Sequence, residues 1–332
     1  MKKIITSLVA AAIFVAATPF NVSQIALADS ASSKSKTALL TDQQEEFLDV
    51  AAVQAEKSAK KYGVYPSVML AQAIVESNWG QSELAVNANN LFGMKANDTW
   101  TGDKYAKKTR EEDANGNSYY ITADFRKYAT FNDSFNDNGT KLRHGISTDP
   151  LFYQKTWIEN APTFHDVTKA LTGTYATAHD YYQTLDKRIV DYDLTKYDPQ
   201  ISNAKITYYV KKNGPTYQWP TDHTETDKAS TVTSKQKVTV TKTITYYNAT
   251  QRMYISGQGW INGSCLTKKQ PKVSRKLQHN ARVYNKKGKV ISKKKLKKGT
   301  KVNTESNLTK ISGKKFYKIG KNKYVKKTAF VK

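Results

Sequence analysis

The chain has 332 residues, with 53 Lys and Arg against 28 Asp and Glu, a net charge of +25, and Cys265 as its single cysteine. One cysteine excludes an intrachain disulfide and a cysteine-based zinc cluster. The charge is not spread evenly: residues 267–332 carry about 24 Lys and Arg against one acid, Glu305, so only about +2 belongs to everything before them.

Met1-Lys2-Lys3, the apolar run from Ile4 to Ala17 and Ala26-Leu27-Ala28 before Asp29 have the layout of a secretory signal peptide, residues 1–28, cleaved after Ala28. The run is too short to span a bilayer, which takes about 20 residues, and no later segment is apolar enough. Residues 29–40, rich in Ser and Lys, read as a linker. Thr41 then caps a first helix, with Gln44 as its capping-box partner, Phe47, Val50, Ala51 and Ala55 as its apolar stripe, and Gly63 as its stop. Pro66 opens a second helix, SVMLAQAIVESNW, running to Gly80 and apolar nearly all round, which predicts a central buried helix.

Residues 111–131 switch to alternation around Asn115-Gly116, a strong hairpin signal. Helical patterning returns near Asn132 and persists to Tyr192. Helix, hairpin and helix in that order predict an α+β domain over residues 41–198. Beyond Pro199 the residues become Thr, Val, Tyr and Lys with Gly-containing turns, which predicts an all-β region. Two stretches there, from Lys237 and from Lys301, align at an offset of about 64 residues, with Trp260 matching Tyr324 and Ile261 matching Val325. They predict two small all-β repeats, over 205–268 and 272–332.

Glu76 is the first candidate for chemistry. It lies near the C-terminal end of the apolar helix, beside Ile74, Val75 and Trp79. Burial and the negative helix end both raise a carboxyl pKa, which suits a general acid. The plainer alternative is a solvated surface carboxylate. A second carboxylate would come from another element, and Glu111, Glu112 and Asp113 on the first arm of the hairpin are the candidates. Three adjacent acids cannot share one pocket, so at least one is a loop charge. Aromatics crowd the same region: Phe92, Phe125 and Phe131 read as core, whereas Trp100, Tyr105 and Tyr128 have polar neighbours and read as groove. There is no glycine-rich phosphate loop, no nucleophile elbow and no paired-histidine metal motif, since His144, His165 and His179 are scattered.

Three ordered motifs, AQAIVESNWGQS (71–82), NLFGMK (90–95) and YATAHDYYQTLDKRI (175–189), resemble glycoside hydrolase family 73, the bacterial endo-β-N-acetylglucosaminidases of the lysozyme-like superfamily. The resemblance spans roughly residues 42–195. It implies a lysozyme-like α+β catalytic domain, a peptidoglycan substrate and no metal or organic cofactor. Glu76 matches the family's general acid, and Glu111, after Thr109-Arg110, matches its second glutamate. Glu112 fits almost as well when counted back from Asn115-Gly116. Trp79, Asn90, Phe92, Trp100, Tyr128 and Tyr175 are the implied substrate contacts. Ala178 stands where the family often has Asp, and has no assigned role.

The C-terminal copy is similar to the S-layer-associated protein (SLAP) domain of lactobacilli, and the middle copy also to bacterial SH3-like wall modules. With the export signal, this implies a secreted, wall-bound autolysin whose basic tail meets an anionic wall polymer such as teichoic acid rather than nucleic acid. The rival readings are a non-catalytic wall-binding or adhesive protein, and a muramidase.

Overall fold

The structure, a computed structural model, describes residues 39–112, 118–222 and 227–331. The signal-peptide expectation, most of the 29–40 linker and the Asn115-Gly116 turn lie outside the described residues. No helix among the described residues is long and apolar enough to cross a membrane.

Helix α1 (Asp42–Tyr62) begins at the capping box of Thr41 and Gln44 and ends at Gly63 in the left-handed region (φ 67°). Its buried stripe is Phe47, Leu48, Ala51, Ala52 and Ala55, while Val50, placed on that stripe by the sequence pattern, is 48% exposed. One step of the 3.6-residue period separates the two faces, which is why the assignment of Val50 fails. Helix α2 (Pro66–Ser77) is buried over ten of its residues, as its composition requires. It has no cap of its own. Asp198, 131 residues away, supplies one, accepting from the Ser67 amide (2.8 Å) and hydroxyl (2.7 Å). This tie fastens the end of the helical region to the start of its central helix. Burial pushes the Asp198 carboxyl up to about 6 despite both bonds.

Helix α2 stops at Ser77, three residues before the expected Gly80. Asn78, Trp79 and Gly80 all take positive φ (49°, 59° and 74°). A tryptophan there is strained, and it is held by edge-on contacts to Phe47 and Tyr192, with ring centroids 6.0 and 4.8 Å away. The Ser77 hydroxyl accepts from the Gly80 amide (2.8 Å), and a Cβ on Gly80 would lie 2.8 Å from the Phe47 ring. Glu-Ser-Asn-Trp-Gly is therefore a helix-ending device that buries Ser77 and Trp79 and leaves Glu76 and Asn78 facing outward.

Helix α3 (Glu83–Ala88) follows, capped by Ser82; its six residues are too few for a periodic signal, and the sequence pattern missed it. Strands β1 (Lys104–Glu112) and β2 (Ser118–Arg126) form the expected hairpin, paired from Lys104↔Arg126 to Glu112↔Ser118. The expected helical run to Tyr192 resolves into α4 (Phe131–His144), α5 (Phe164–Leu171) and α6 (Tyr181–Asp191), with irregular chain between them.

The remainder is all-β. Strands β3 (Gln200–Ser202), β4 (Ile206–Val210), β5 (Gly214–Tyr217), β6 (Lys228–Val232), β7 (Lys237–Thr245), β8 (Gln251–Ile255), β9 (Gly259–Asn262) and β10 (Leu266–Thr267) make an eight-stranded sheet of order β10-β4-β7-β8-β9-β5-β6, with β3 also on β7. Strands β11 (Lys272–Lys276) and β12 (Lys301–Glu305) pair, and β13 (Leu308–Ile311), β14 (Lys314–Gly320) and β15 (Lys323–Lys326) form a three-stranded sheet. In both aligned stretches a hairpin runs straight into a 3₁₀ turn, β8–β9 into Gly263–Cys265 and β14–β15 into Lys327–Phe330. Trp260, Ile261, Tyr324 and Val325 are all buried.

The helical core is not closed without the β-region: Ile244, Tyr246 and Trp260 belong to the same apolar cluster as α1, α2, α4 and α6. Around it Lys242 donates to the Glu159 carbonyl (3.1 Å), the Asp222 amide to the Lys61 carbonyl (3.2 Å), and Trp219 meets Trp157 edge-on at 5.2 Å.

Candidate functional site

A groove of about 690 Å³ runs across the helical region. Glu76 from the last turn of α2 reaches it, with Phe92 and Met94 from the loop after α3, Arg126 from the end of β2, Asp137 and Lys141 from α4, and Tyr175. His144 and residues 145–147 also line it.

The Glu76 Oε1 atom accepts from the Tyr181 hydroxyl at 2.9 Å. Tyr181 is the first residue of α6 and is stacked on Tyr175, with ring centroids 6.1 Å apart. By surface area Glu76 is an exposed residue. Its carboxyl pKa is nonetheless raised: crowding by the groove walls removes water from the charged form and outweighs the Tyr181 bond and the Lys141 cation, which both lower it. The two facts agree for a carboxyl at the floor of a concavity, open along one direction and enclosed in the others. The sequence-based reason for that shift needs correction. Ile74 and Trp79 point into the core, and the desolvation comes from walls supplied by other elements.

Lys141 stands 4.3 Å from the Tyr175 ring centroid. Loss of water and the neighbouring Arg126 lower its pKa, against Asp137 and Glu76, which raise it. Asp137, the other carboxylate on the groove, takes both oxygens to Arg126 Nη1 (2.8 and 2.7 Å) and accepts the Tyr128 hydroxyl. Both of its oxygens are thus engaged, and it holds the arginine in place.

Of the six substrate contacts expected from the sequence, the groove brings Phe92 and Tyr175 together with Glu76. The other four are not among the residues that line it. Trp79 plugs the core. Asn90 is buried and pins the loop, its amide donating to the Met94 and Arg126 carbonyls (2.9 and 2.8 Å). Tyr128 is buried against Asp137, and Trp100 packs on Tyr128 (5.7 Å) and on the Arg126 guanidinium (4.8 Å). Tyr105 donates to Glu83 on α3. Glu111 and Glu112 occupy register positions opposite Tyr119 and Ser118 near the end of β1, and their side chains lie outside the described residues. Tyr181, Lys141, Arg126 and Asp137 were not singled out; Tyr181 sits inside the third motif, so that one signal was present. Among the described residues no group of three His, Cys, Asp or Glu is placed to hold a metal ion.

A family model described as mannosyl-glycoprotein endo-beta-N-acetylglucosaminidase matches residues 52–194, and one for the surface layer protein A domain matches residues 267–328. A probable N-acetylmuramidase of Lactococcus lactis subsp. cremoris is 42% identical over 161 residues, 48% of this chain and 36% of that protein. This chain thus spans about a third of the length of that relative. Exo-glucosaminidase LytG of Bacillus subtilis is 35% identical over 199 residues, 59% of this chain and 68% of LytG. The solved catalytic domain of the autolysin Auto from Listeria monocytogenes is 42% identical, with a TM-score of 0.46, and covers 48% of this chain and 90% of its own. With the three ordered motifs and a match reaching across two thirds of LytG, the chain belongs to the glucosaminidase family, glycoside hydrolase family 73.

Proposed function

We propose that the chain is a secreted peptidoglycan hydrolase, an autolysin, that cleaves the β-1,4 bond on the reducing side of N-acetylglucosamine, with Glu76 as general acid. A lysozyme-like catalytic region over 41–198 does the chemistry, and two β modules, 205–268 and 272–332, hold it non-covalently on the wall. The observation that carries this reading is the Glu76 carboxyl on the groove wall, its pKa raised by desolvation and its position fixed by Tyr181, while the other carboxylate there, Asp137, is tied to Arg126. A protonated carboxyl there hands its proton to the glycosidic oxygen, so that the departing sugar leaves as a neutral alcohol.

Glu111 or Glu112 is the second carboxylate, activating water or steadying the developing oxocarbenium charge. Both lie seven or eight residues beyond Lys104↔Arg126, the base of the hairpin, or roughly 23–26 Å along the strand at 3.3 Å per residue. The twist and curl of a two-stranded ribbon must therefore carry the acid over the groove.

Product analysis tests the bond. After digestion of purified walls and borohydride reduction, mass spectrometry is expected to find reduced N-acetylglucosamine at the new ends. Reduced N-acetylmuramic acid would establish the muramidase reading, in line with the name carried by the Lactococcus relative. The pH profile tests the acid. Lys141 lowers the Glu76 pKa, so Lys141→Met removes a restraint and is expected to move the alkaline limb of kcat/KM to higher pH. An unmoved limb, or one moved to lower pH, would show that another group sets it.

The C-terminal module is read as the site for an anionic wall polymer such as teichoic acid. A cleft of about 440 Å³ there is lined by His279, Arg282, Tyr284, Lys295 and Lys326, and it offers three cations to one polyanion. Binding of this kind is screened by salt, since the Debye length shrinks from about 8 Å at 0.15 M to about 3 Å at 1 M. Retention on purified walls is expected to fall steeply over that range. Undiminished retention in molar salt would contradict an electrostatic anchor.

A further inference from the structure

We infer that the β-region completes a distal sugar-binding subsite, with Trp219 as its platform, at the far end of the groove that holds Glu76. The inference rests on the reading of that groove as the seat of a glycan strand.

The groove does not end blindly. His144, on its wall, also lines a second concavity of about 360 Å³, a size within the range of small-ligand sites. The walls of this concavity come from two parts of the chain: Tyr62, Leu151 and Trp157 from the helical region, and Trp219, Thr221 and Asp222 from the β-region. Without residues 219–222 it is half a site. Trp219 is only partly buried; its ring is fixed by the edge-on contact to Trp157 and by the Arg143 guanidinium, 4.8 Å from its centroid. Beside it the buried Thr221 forms part of the wall, and Asp222 brings carboxylate oxygens to the rim, staying largely exposed although it pairs with Arg252. An aromatic platform with acceptors at its edge suits a pyranose ring, which is apolar on its faces and ringed by hydroxyls.

The loop that joins the two concavities points the same way. Ile146, on the groove, and Leu151, on the second concavity, are apolar side chains left 38% and 47% exposed. The loop is held rigidly. Gly145 has φ +69°, and the Asp149 carbonyl lies 2.2 Å from where a Cβ would be. Ile146 and Asp149 exchange backbone bonds of 3.0 and 3.1 Å, and the Leu151 amide donates to the Asp149 side chain at 2.9 Å. An apolar surface built in this way is preorganised for a ligand. Its continuity with the groove assigns the occupant as the next stretch of the same strand, alternating N-acetylglucosamine and N-acetylmuramic acid rings, rather than a separate molecule.

The test compares peptide-free glycan oligomers from peptidoglycan, a tetrasaccharide and an octasaccharide, as substrates of the full chain and of its Trp219→Ala, Trp219→Phe and Leu151→Ser variants. The native chain is expected to favour the octasaccharide by about tenfold in kcat/KM, the scale of one lost aromatic contact. Trp219→Ala and Leu151→Ser should erase that preference by lowering the octasaccharide value alone, and Trp219→Phe, which keeps a ring, should restore part of it. Leu151 is exposed, so its variant controls for a folding defect in Trp219→Ala. Equal values for the two oligomers in the native chain would overturn the subsite. So would variants that lose both substrates alike, or a Trp219 effect seen only on peptide-bearing fragments. A native chain that cleaves whole walls yet shows no length preference refutes this inference alone; one that cleaves nothing removes the glycosidase reading and this subsite with it.

Discussion

In the Glu76→Gln chain, release of reducing ends from purified walls is expected to fall by about 10²–10⁴-fold, the range that a positioned general acid contributes. Glutamine keeps the shape of the side chain and still accepts from the Tyr181 hydroxyl through its amide oxygen, so the groove is preserved. What it lacks is the transferable proton. Retention on walls should not change, because the basic cleft lined by Arg282, Lys295 and Lys326 is made by other elements. A zymogram and a wall-pelleting assay on the same preparation separate the two properties. Residual activity within about tenfold of native would sink the assignment of Glu76, since losses that small fall below what removal of a general acid causes.

Arg143→Met is the variant expected to destabilise the fold most. Arg143 and Glu159 form a 2.8 Å ion pair with side chains only 5% and 9% exposed, and the guanidinium lies 4.0 Å from the Trp157 centroid and 4.8 Å from that of Trp219. Removing one partner of such a pair leaves the other charge uncompensated in a dry site, at a cost of about 3–5 kcal/mol. Desolvation already raises the Glu159 pKa, against the pull of Arg143. Without the arginine it rises further. A carboxyl whose folded-state pKa lies above its unfolded one contributes most below the unfolded value and loses that contribution as pH climbs through the folded value. The deficit of Arg143→Met, read as the shift in urea midpoint, is therefore expected to be smallest near pH 4 and to grow toward neutral pH. Adding Glu159→Gln should recover much of it. A deficit independent of pH would mean that lost packing against Trp157 and Trp219, rather than the stranded carboxylate, is the cause.

The buried pair also bears on how the chain is organised. The residue patterns divide it near Asp198-Pro199, where helical periodicity gives way to β alternation, and the secondary structure changes there too: α6 and a 3₁₀ turn give way to β3 at Gln200. Packing does not respect that border. Ile244, Tyr246 and Trp260 complete the helical core, and Arg143 is clamped between one tryptophan from each side. Nothing local in KVTVTKTITYY marks Ile244 and Tyr246 as partners of helices that precede them by more than fifty residues, because alternation tells which face of a strand is apolar and not what covers it.

By itself the sequence determined the local events. Thr41 and Gln44 start α1, Gly63 stops it, Pro66 starts α2, and the apolar composition of α2 buries it, because each outcome depends on groups within a turn or two of one another. It also placed Glu76 at the end of that helix. Tertiary structure alone decided what Glu76 meets. Tyr181, its hydrogen-bond partner, is 105 residues away, and Lys141, Arg126 and Asp137 arrive from α4 and β2. The same packing buries Trp79, Asn90 and Tyr128 beside the groove and leaves Phe92 and Tyr175 to line it with Glu76. A motif shows which residues stay together along the chain, but which of them face the cavity depends on how helices tens of residues apart pack, and that information is carried by the whole core at once.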